Sequence, residues 1–201
     1  LSELLKIFKL KNFYKILNKK EILEIFNLIF PEFKNINRLK NFKFIKNYIK
    51  NSEILILSIL LVDSQNNHEY FSHKYKVSNK ILNEINFIGK QFKEMKNNRE
   101  FFKKKLKENL YNLGIKNIEI LFCLYLLDKK KIALNEISFF KKIKKISIPK
   151  FPFDGKFLIN KGVQEGKKIG IILDEAKKTW VENNFNLSTE DFETIVKKNT
   201  V

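Results

Sequence analysis

The chain is short of the residues that most often announce a chemistry. It holds a single cysteine, Cys123, which excludes an internal disulfide framework and fits a reducing compartment. Cys123 lies within Leu-Phe-Cys-Leu-Tyr, an apolar helix centre, where a thiol is expected to be buried and inert. Histidine occurs twice, as His68 and His73, with only Asp63 and Glu69 as nearby carboxylates. Metal ligation needs three or four convergent ligands, so no metal site is expected, and the pair reads as a solvated loop or helix end. No Gly-Lys-Ser/Thr phosphate loop is present. The longest apolar run, Ile54 to Val62, is interrupted by Ser58 and falls far short of the ~20 residues that span a bilayer. Leu1 opens directly on an amphipathic pattern, with no leader visible. These absences predict a soluble, cytoplasmic chain with no membrane partner.

Arginine is also scarce, only Arg38 and Arg99, so lysine carries almost all of a formal net charge of +18 over 201 residues. Such a field attracts phosphate polymers or anionic surfaces. Lysine, asparagine, isoleucine and phenylalanine are abundant together, as an AT-rich coding sequence would make them, so charge alone also fits a merely basic surface. The charge is uneven. Residues 151–201 hold eight lysines and eight acids, which leaves the whole excess in residues 1–150.

The apolar spacing is three and four throughout and predicts an all-α fold with no sheet. Leu4, Leu5 and Phe8, then Phe13, Ile16 and Leu17, predict a first pair of short helices. Glu21 to Phe30 is a helix stopped by Pro31, because the residue before proline is driven out of the α region. Arg38 to Lys50 sets Leu39, Phe42, Ile45 and Ile49 on one face. Ser52 caps an apolar helix to Val62, and after the polar break 64–67 the Ser78 hydroxyl is expected to cap the next helix. Arg99 to Tyr111 reads as a helix that stops at Gly114, Ile118 to Leu127 as the central core helix, and Leu134 to Lys145 as a basic amphipathic one.

The character changes at Ser147-Ile-Pro-Lys-Phe-Pro152, where two prolines suit an extended connector. A basic helical body, 1–146, is therefore expected to precede a smaller hairpin tail, 147–201. In the tail, a short helix from Gly155 to Lys161 should end at Gly162 in a left-handed conformation. A turn to Gly166 then opens a longer helix at Lys167. Gly170 should permit close helix approach. Exposed amides at that helix start, beside Lys167 and Lys168, form a candidate phosphate site, opposed locally by Glu165. A hairpin that only packs is the alternative. Asp174 and Glu175 read as favourable to the dipole near the start of this helix, and Ser188 with Asp191 as a capping pair.

The series Pro149, Phe151-Pro152, Gly155, Phe157-Leu158, Gly162, Gly166, Gly170, Leu173, Trp180 and Phe185 resembles the C-terminal segment of bacterial CCA-adding tRNA nucleotidyltransferases. These belong to the poly(A) polymerase family, and the likeness is to its alphaproteobacterial-like form. Leu1-Ser-Glu-Leu-Leu-Lys-Ile resembles the end of the neck helix, and Tyr75-Lys-Val-Ser-Asn79 the start of a body helix. The resemblance implies a chain that holds tRNA while a head with Mg²⁺ and a neck selecting CTP or ATP do the chemistry. The head's Gly-Ser and paired-Asp motifs are absent, so no catalytic residue and no cofactor are expected here, and the chain reads as a fragment.

The expected RNA contacts are Lys103, Lys104, Lys105, Lys141, Lys142, Lys145, Lys150, Lys161, Gly162, Gly166, Lys167 and Lys168, with Lys40, Lys43, Lys46 and Lys50 adding to the positive surface. Pro152, Gly155, Gly170 and Trp180 read as structural. Phe101-Phe102 and Phe139-Phe140 fit core positions in preference to base stacking. Two other readings stay open: a free-standing, sequence-tolerant RNA-binding module, and a helical protein-interaction domain.

Overall fold

The computed structural model describes residues 1–10, 12–16, 19–164 and 166–200, the last in backbone only. Leu17 and Glu165, used above, lie outside the described residues. Among those described the chain is all-α, with twelve α-helices, one 3-10 turn and no strand. It divides into two units: Leu1–Asn109 with Leu113–Ile146, and Leu110–Asn112 with Ser147–Val201.

The first unit begins with α1 (Ser2–Lys9), α2 (Phe13–Ile16) and α3 (Lys20–Ile29). Phe8, Phe13, Tyr14 and Phe42 interlock, with neighbouring ring centroids 5.9–6.2 Å apart. Pro31 follows α3, whose last turn closes through the Phe30 amide donating to the Phe26 carbonyl. The 3-10 turn Ile36–Arg38 leads into α4 (Leu39–Ile45). The expected inward face is present, with Leu39, Phe42, Ile45 and Ile49 all buried, but the helix ends at Ile45 instead of running to Lys50.

α5 (Glu53–Leu61) is the most enclosed element: every residue from Ile54 to Leu61 is buried. A helix apolar on all sides is stable only where neighbours cover all of it, and α1, α6 and α7 pack against this one. Each fully buried aliphatic side chain contributes ~1.5–3 kcal/mol, so this one segment supplies a large share of the core. The Ser52 hydroxyl accepts from the Leu55 amide at 3.1 Å and starts the helix as its position suggests.

α6 (Asn67–Lys74) follows a left-handed Asn66. His68 corrects the solvated reading, since it is buried at 1% exposure, and only His73 faces solvent. The reason is Gly89 on α7 (Asn79–Asn97), which leaves room for the ring. A Cβ built there would sit 2.4 Å from His68 Cε1 and Nε2. Ser78 occupies the N-cap position of α7, but its side chain makes no capping bond.

The helix expected from Arg99 starts only at Leu106. Asn98 Oδ1 accepts from the Glu100 amide at 3.0 Å, and Asn109 Nδ2 donates to the Phe101 carbonyl at 2.8 Å. These side-chain bonds offer the backbone a turn in place of a helix. α8 (Leu106–Leu127) then breaks at Gly114, where φ is 76° and ψ 156°, and resumes at once. α8 is long and apolar enough to cross a membrane by length and composition, but half of its apolar window is buried in the fold. α9 (Leu134–Ile143) closes the unit, with Ile137, Phe140 and Ile143 inward.

Arg38 joins these elements. Its Nη1 donates to the carbonyls of Ile59 and Val62 at 3.0 and 2.7 Å, at the open end of α5. Its Nε donates to Asp128 Oδ1 at 2.7 Å, and Lys96 takes the other oxygen. Burial acts to raise the Asp128 carboxyl, but the bonds and charges of Arg38 and Lys96 outweigh it and hold the group below the usual carboxylate range.

The second unit contains α10 (Gly155–Asn160), α11 (Lys167–Glu182) and α12 (Thr189–Thr200). Asp154 caps α10 by accepting from the Phe157 amide at 2.9 Å. Gly162 ends it at φ 86°, with the Gly162 and Val163 amides donating to the Ile159 and Leu158 carbonyls, the closure that a left-handed glycine permits. Gly166, at φ 141°, precedes α11. Leu158, Ile172, Ala176, Trp180 and Phe192 form the core, and Phe153 stacks on Phe192 at 4.0 Å. Ser188 Oγ accepts from the Asp191 amide at 3.0 Å, the expected cap. Two readings are corrected. A Cβ on Gly170 would meet nothing within 4 Å, so no close approach depends on it. Glu175 does not sit in the first turn of α11; it accepts from Lys198 and Asn199 of α12.

Candidate nucleic-acid interface

The Asn98-centred turn turns Lys103, Lys104 and Lys105 outward ahead of α8, and all three are exposed. They form no ion pair among the described residues. Lys141 and Lys142 lie in the last turn of α9, where cations also complement the helix dipole, and Lys145 follows in the next turn. Lys150 is exposed in the connector. Of this set, Lys103 and Lys141 line clefts on the first unit, and Lys150 belongs to the second.

A cleft of about 520 Å³ lies between the end of α7, the 98–105 turn, the second half of α8 and the start of α9. Its walls are aromatic: Phe102 lies 5.0 Å from Phe122 and 5.6 Å from Tyr125, and Phe122 lies 4.5 Å from Phe139. Lys96, Arg99 and Lys103 border it. Glu136 is its one acid, and that carboxylate already accepts from Lys129 and from the Ala133 amide. A smaller cleft shares Lys96 and adds Lys93 and Phe92. Another, beyond Phe140, is lined by Tyr48, Lys141 and Lys144. Lys144 is tied to Glu119 and to the Tyr48 carbonyl, both at 3.2 Å.

Of the expected contacts, Lys103 and Lys141 line these clefts, whereas Lys104, Lys105, Lys142 and Lys145 are exposed beside the same elements without lining one. The aromatic walls correct the reading of all four phenylalanines as core. Phe101 and Phe140 are buried at 1% exposure, while Phe102 and Phe139 are only half-buried and line the cleft. Adjacent residues point in different directions, so on an element covered from one side a Phe-Phe doublet sets one ring deeper than the other, and that signal was present in the doublets. Arg99 and Lys96 were not singled out from sequence.

In the second unit the expected set separates. Lys161 Nζ lies 2.6 Å from Glu193 and 5.8 Å from the Phe157 ring centroid. With Gly162 it lines a cleft of about 330 Å³ that also includes Lys197. Gly166, Lys167 and Lys168 are exposed at the start of α11 and do not line that cleft, and no side chain caps the helix there. Pro152 is exposed, a Cβ built on Gly155 would sit 3.4 Å from the Ile169 side chain, and Trp180 is buried at 2%.

Cys123 is fully enclosed, and burial pushes its thiol far above the ordinary range. Among the described residues no group of three or more His, Cys, Asp and Glu side chains could hold a metal ion. No family model, no curated protein and no solved structure matches the chain.

Proposed function

We propose that this chain grips RNA through the lysine-rich face of its first unit, as the tRNA-binding body and tail of a CCA-adding tRNA nucleotidyltransferase. The observation that carries the reading is electrostatic. Lys103, Lys104, Lys105, Lys142 and Lys145 are exposed and form no ion pair among the described residues, beside clefts whose other charged groups are mostly cationic. Unpaired lysines on a rigid helical surface match a phosphate backbone, whose neutralisation releases counterions and supplies sequence-independent affinity. The narrower assignment to tRNA rests on the glycine-hairpin resemblance. Left-handed Gly162 and the positive φ of Gly166 are consistent with those glycines being required by the turn. On this reading the tail presents a shaped surface, the body supplies the charge, and nucleotide addition with CTP and ATP belongs to a head outside these residues.

The test is anisotropy titration of the chain with labelled tRNA lacking its terminal CCA, over a series of salt concentrations. Affinity should fall steeply with salt, with a log–log slope of about −0.7 to −0.9 for each phosphate neutralised, the range for single strands and B-form duplex. The chain alone should incorporate neither CTP nor ATP. Absence of tRNA binding at low salt would refute the reading. It would favour a protein-interaction domain, for which the exposed Ile25, Leu28 and Ile29 on α3 offer a surface. Equal affinity for tRNA and a DNA duplex would favour a general nucleic-acid module.

A further inference from the structure

We propose that the aromatic cleft between α7, α8 and α9 is a binding site for one unstacked nucleobase of an RNA strand, with the adjoining phosphate on Arg99 and Lys103. The inference rests on the RNA-binding reading above and adds to it a contact that backbone charge cannot make. The rings of Phe102 and Phe139 meet nearly at right angles, 80° between planes and 6.3 Å between centroids. Such an inside corner stacks a flat group on one wall and receives its edge on the other. Phe122 and Tyr125 close the apolar floor, and Phe122 is buried at 4% exposure, which fixes it in place.

The volume, about 520 Å³, lies within the ~300–1,000 Å³ usual for small-molecule pockets, ample for a base and part of its sugar. Asn98 and Asn135 line the same cleft and bring amides suited to base edges. Asn98 Oδ1 is committed to the Glu100 amide, so its NH₂ group is the one left to donate. Charge selects the occupant. Arg99 and Lys103 are exposed at the rim without an ion pair among the described residues, while the single acid, Glu136, is neutralised by Lys129. A planar aromatic group that carries a negative charge fits this arrangement, and a nucleotide has both parts.

The cleft is built on rigid elements. Tyr125 is overlaid by the Lys129 ammonium at 4.5 Å, and Phe139 extends from a helix whose neighbouring Phe140 is wholly buried. Its walls are therefore held open by packing that a ligand need not create.

The experiment uses the whole chain and three probes: a uridine decamer, an abasic decamer of equal charge, and a decamer with one central 2-aminopurine. The wild type should bind the uridine decamer about tenfold more tightly than the abasic one, as expected for one stacked base. It should also quench 2-aminopurine fluorescence. Phe102→Leu and Phe139→Leu keep apolar volume and remove the rings; each should erase that difference and leave the salt slope unchanged. Arg99→Gln with Lys103→Gln, at exposed positions that do not bear on folding, should weaken both decamers and reduce the slope. If the wild type binds both decamers equally and with salt dependence, the base site is overturned while the RNA-binding reading stands. If no decamer and no tRNA binds at low salt, both fall. If an acidic tryptophan-containing peptide binds and a decamer does not displace it, the cleft is a peptide site and the proposal is overturned.

Discussion

Replacing Arg38 by methionine should be among the most damaging single changes in the first unit. The guanidinium side chain is 8% exposed and makes three hydrogen bonds: two to the carbonyls of Ile59 and Val62 and one to Asp128. Methionine keeps the stem that packs on Phe92, where the guanidinium carbon now lies 5.5 Å from the ring centroid, and removes every donor. Each buried carbonyl left unpaired costs ~1–3 kcal/mol. Asp128 keeps Lys96, and its side chain is 24% exposed, so its loss is partial. Breaking a buried pair from one side typically costs ~3–5 kcal/mol, and the present geometry falls in that range. Urea unfolding followed by far-UV circular dichroism should show the midpoint falling by ~1–2 M, for a slope of about 2–3 kcal/mol per M. Arg38→Met combined with Asp128→Leu should recover part of the loss, because no carboxylate is then left short of its partner. A single-variant loss under ~1 kcal/mol, the scale of an exposed pair, would refute the idea that Arg38 holds the end of α5.

Gly89→Ala should destabilise despite the ~1 kcal/mol of helix propensity gained, because the new methyl group overlaps the buried His68 ring and overpacking costs ~1–3 kcal/mol. Gly170→Ala, with open space around it, should instead stabilise by ~0.5–1 kcal/mol; thermal melts of the two variants check the contrast. Burial lowers the His68 imidazole below its ordinary value, against the pull of Asp63 and Glu69 and with the help of Lys93. The unfolded chain therefore takes up its proton first as pH falls below about 6.5, so His68's share of stability is full above that pH and declines below it until the folded group also protonates. His68→Leu should flatten this part of the urea-midpoint profile. Asp128 and Glu136, both held low, contribute stability above the ordinary carboxylate range that is lost at still lower pH, as it falls through their folded values. Cys123 should resist a water-soluble thiol reagent in the native protein and react fully in urea; rapid native labelling would contradict its enclosure.

The helices were legible where local chemistry set them. Ser52 before an apolar run, Pro31 after one, and Gly162 before a turn each act within a few residues, and each does so in the fold. The failures have a common cause. Phe102, Leu106 and Leu110 follow a helical spacing, but Asn98 and Asn109, reaching the backbone of Glu100 and Phe101, hold residues 99–105 in turns. His68 looked solvated because its seat is made by a glycine 21 positions away. The aromatic cleft needed α7, α8 and α9 to be placed together, which no window of sequence shows. Gly170 failed in the opposite direction, since a small residue is compatible with a close approach without requiring one.

The strongest objection to an RNA partner is that lysine is what AT-rich codons supply. Lysine is indeed plentiful in both parts, eight in residues 151–201 and only somewhat denser before them. What differs is acid. Residues 151–201 carry eight acids in 51 positions, whereas residues 1–150 carry 14. Codons for aspartate and glutamate begin with G, and drift toward AT turns them into those of asparagine and lysine; but drift acts alike on both regions of one coding sequence, so it does not account for the difference between them. Within the second unit, acids meet lysines directly, as in Lys161–Glu193 and Lys198–Glu175. In the first, Glu100 and Glu108 lie three residues either side of the run 103–105, yet of the lysines in 103–105 and 141–145 only Lys144 forms an ion pair among the described residues. An uncompensated cationic surface costs the compact state some self-repulsion, which a bound polyanion relieves. On the proposed reading, the scarcity of carboxylates in residues 1–150, more than the wealth of lysine, is the feature that a phosphate partner accounts for. It also makes a specific demand on the test above. Placing glutamates at exposed positions Lys104 and Lys142 should abolish tRNA binding at moderate salt while leaving the melting curve unchanged or slightly raised.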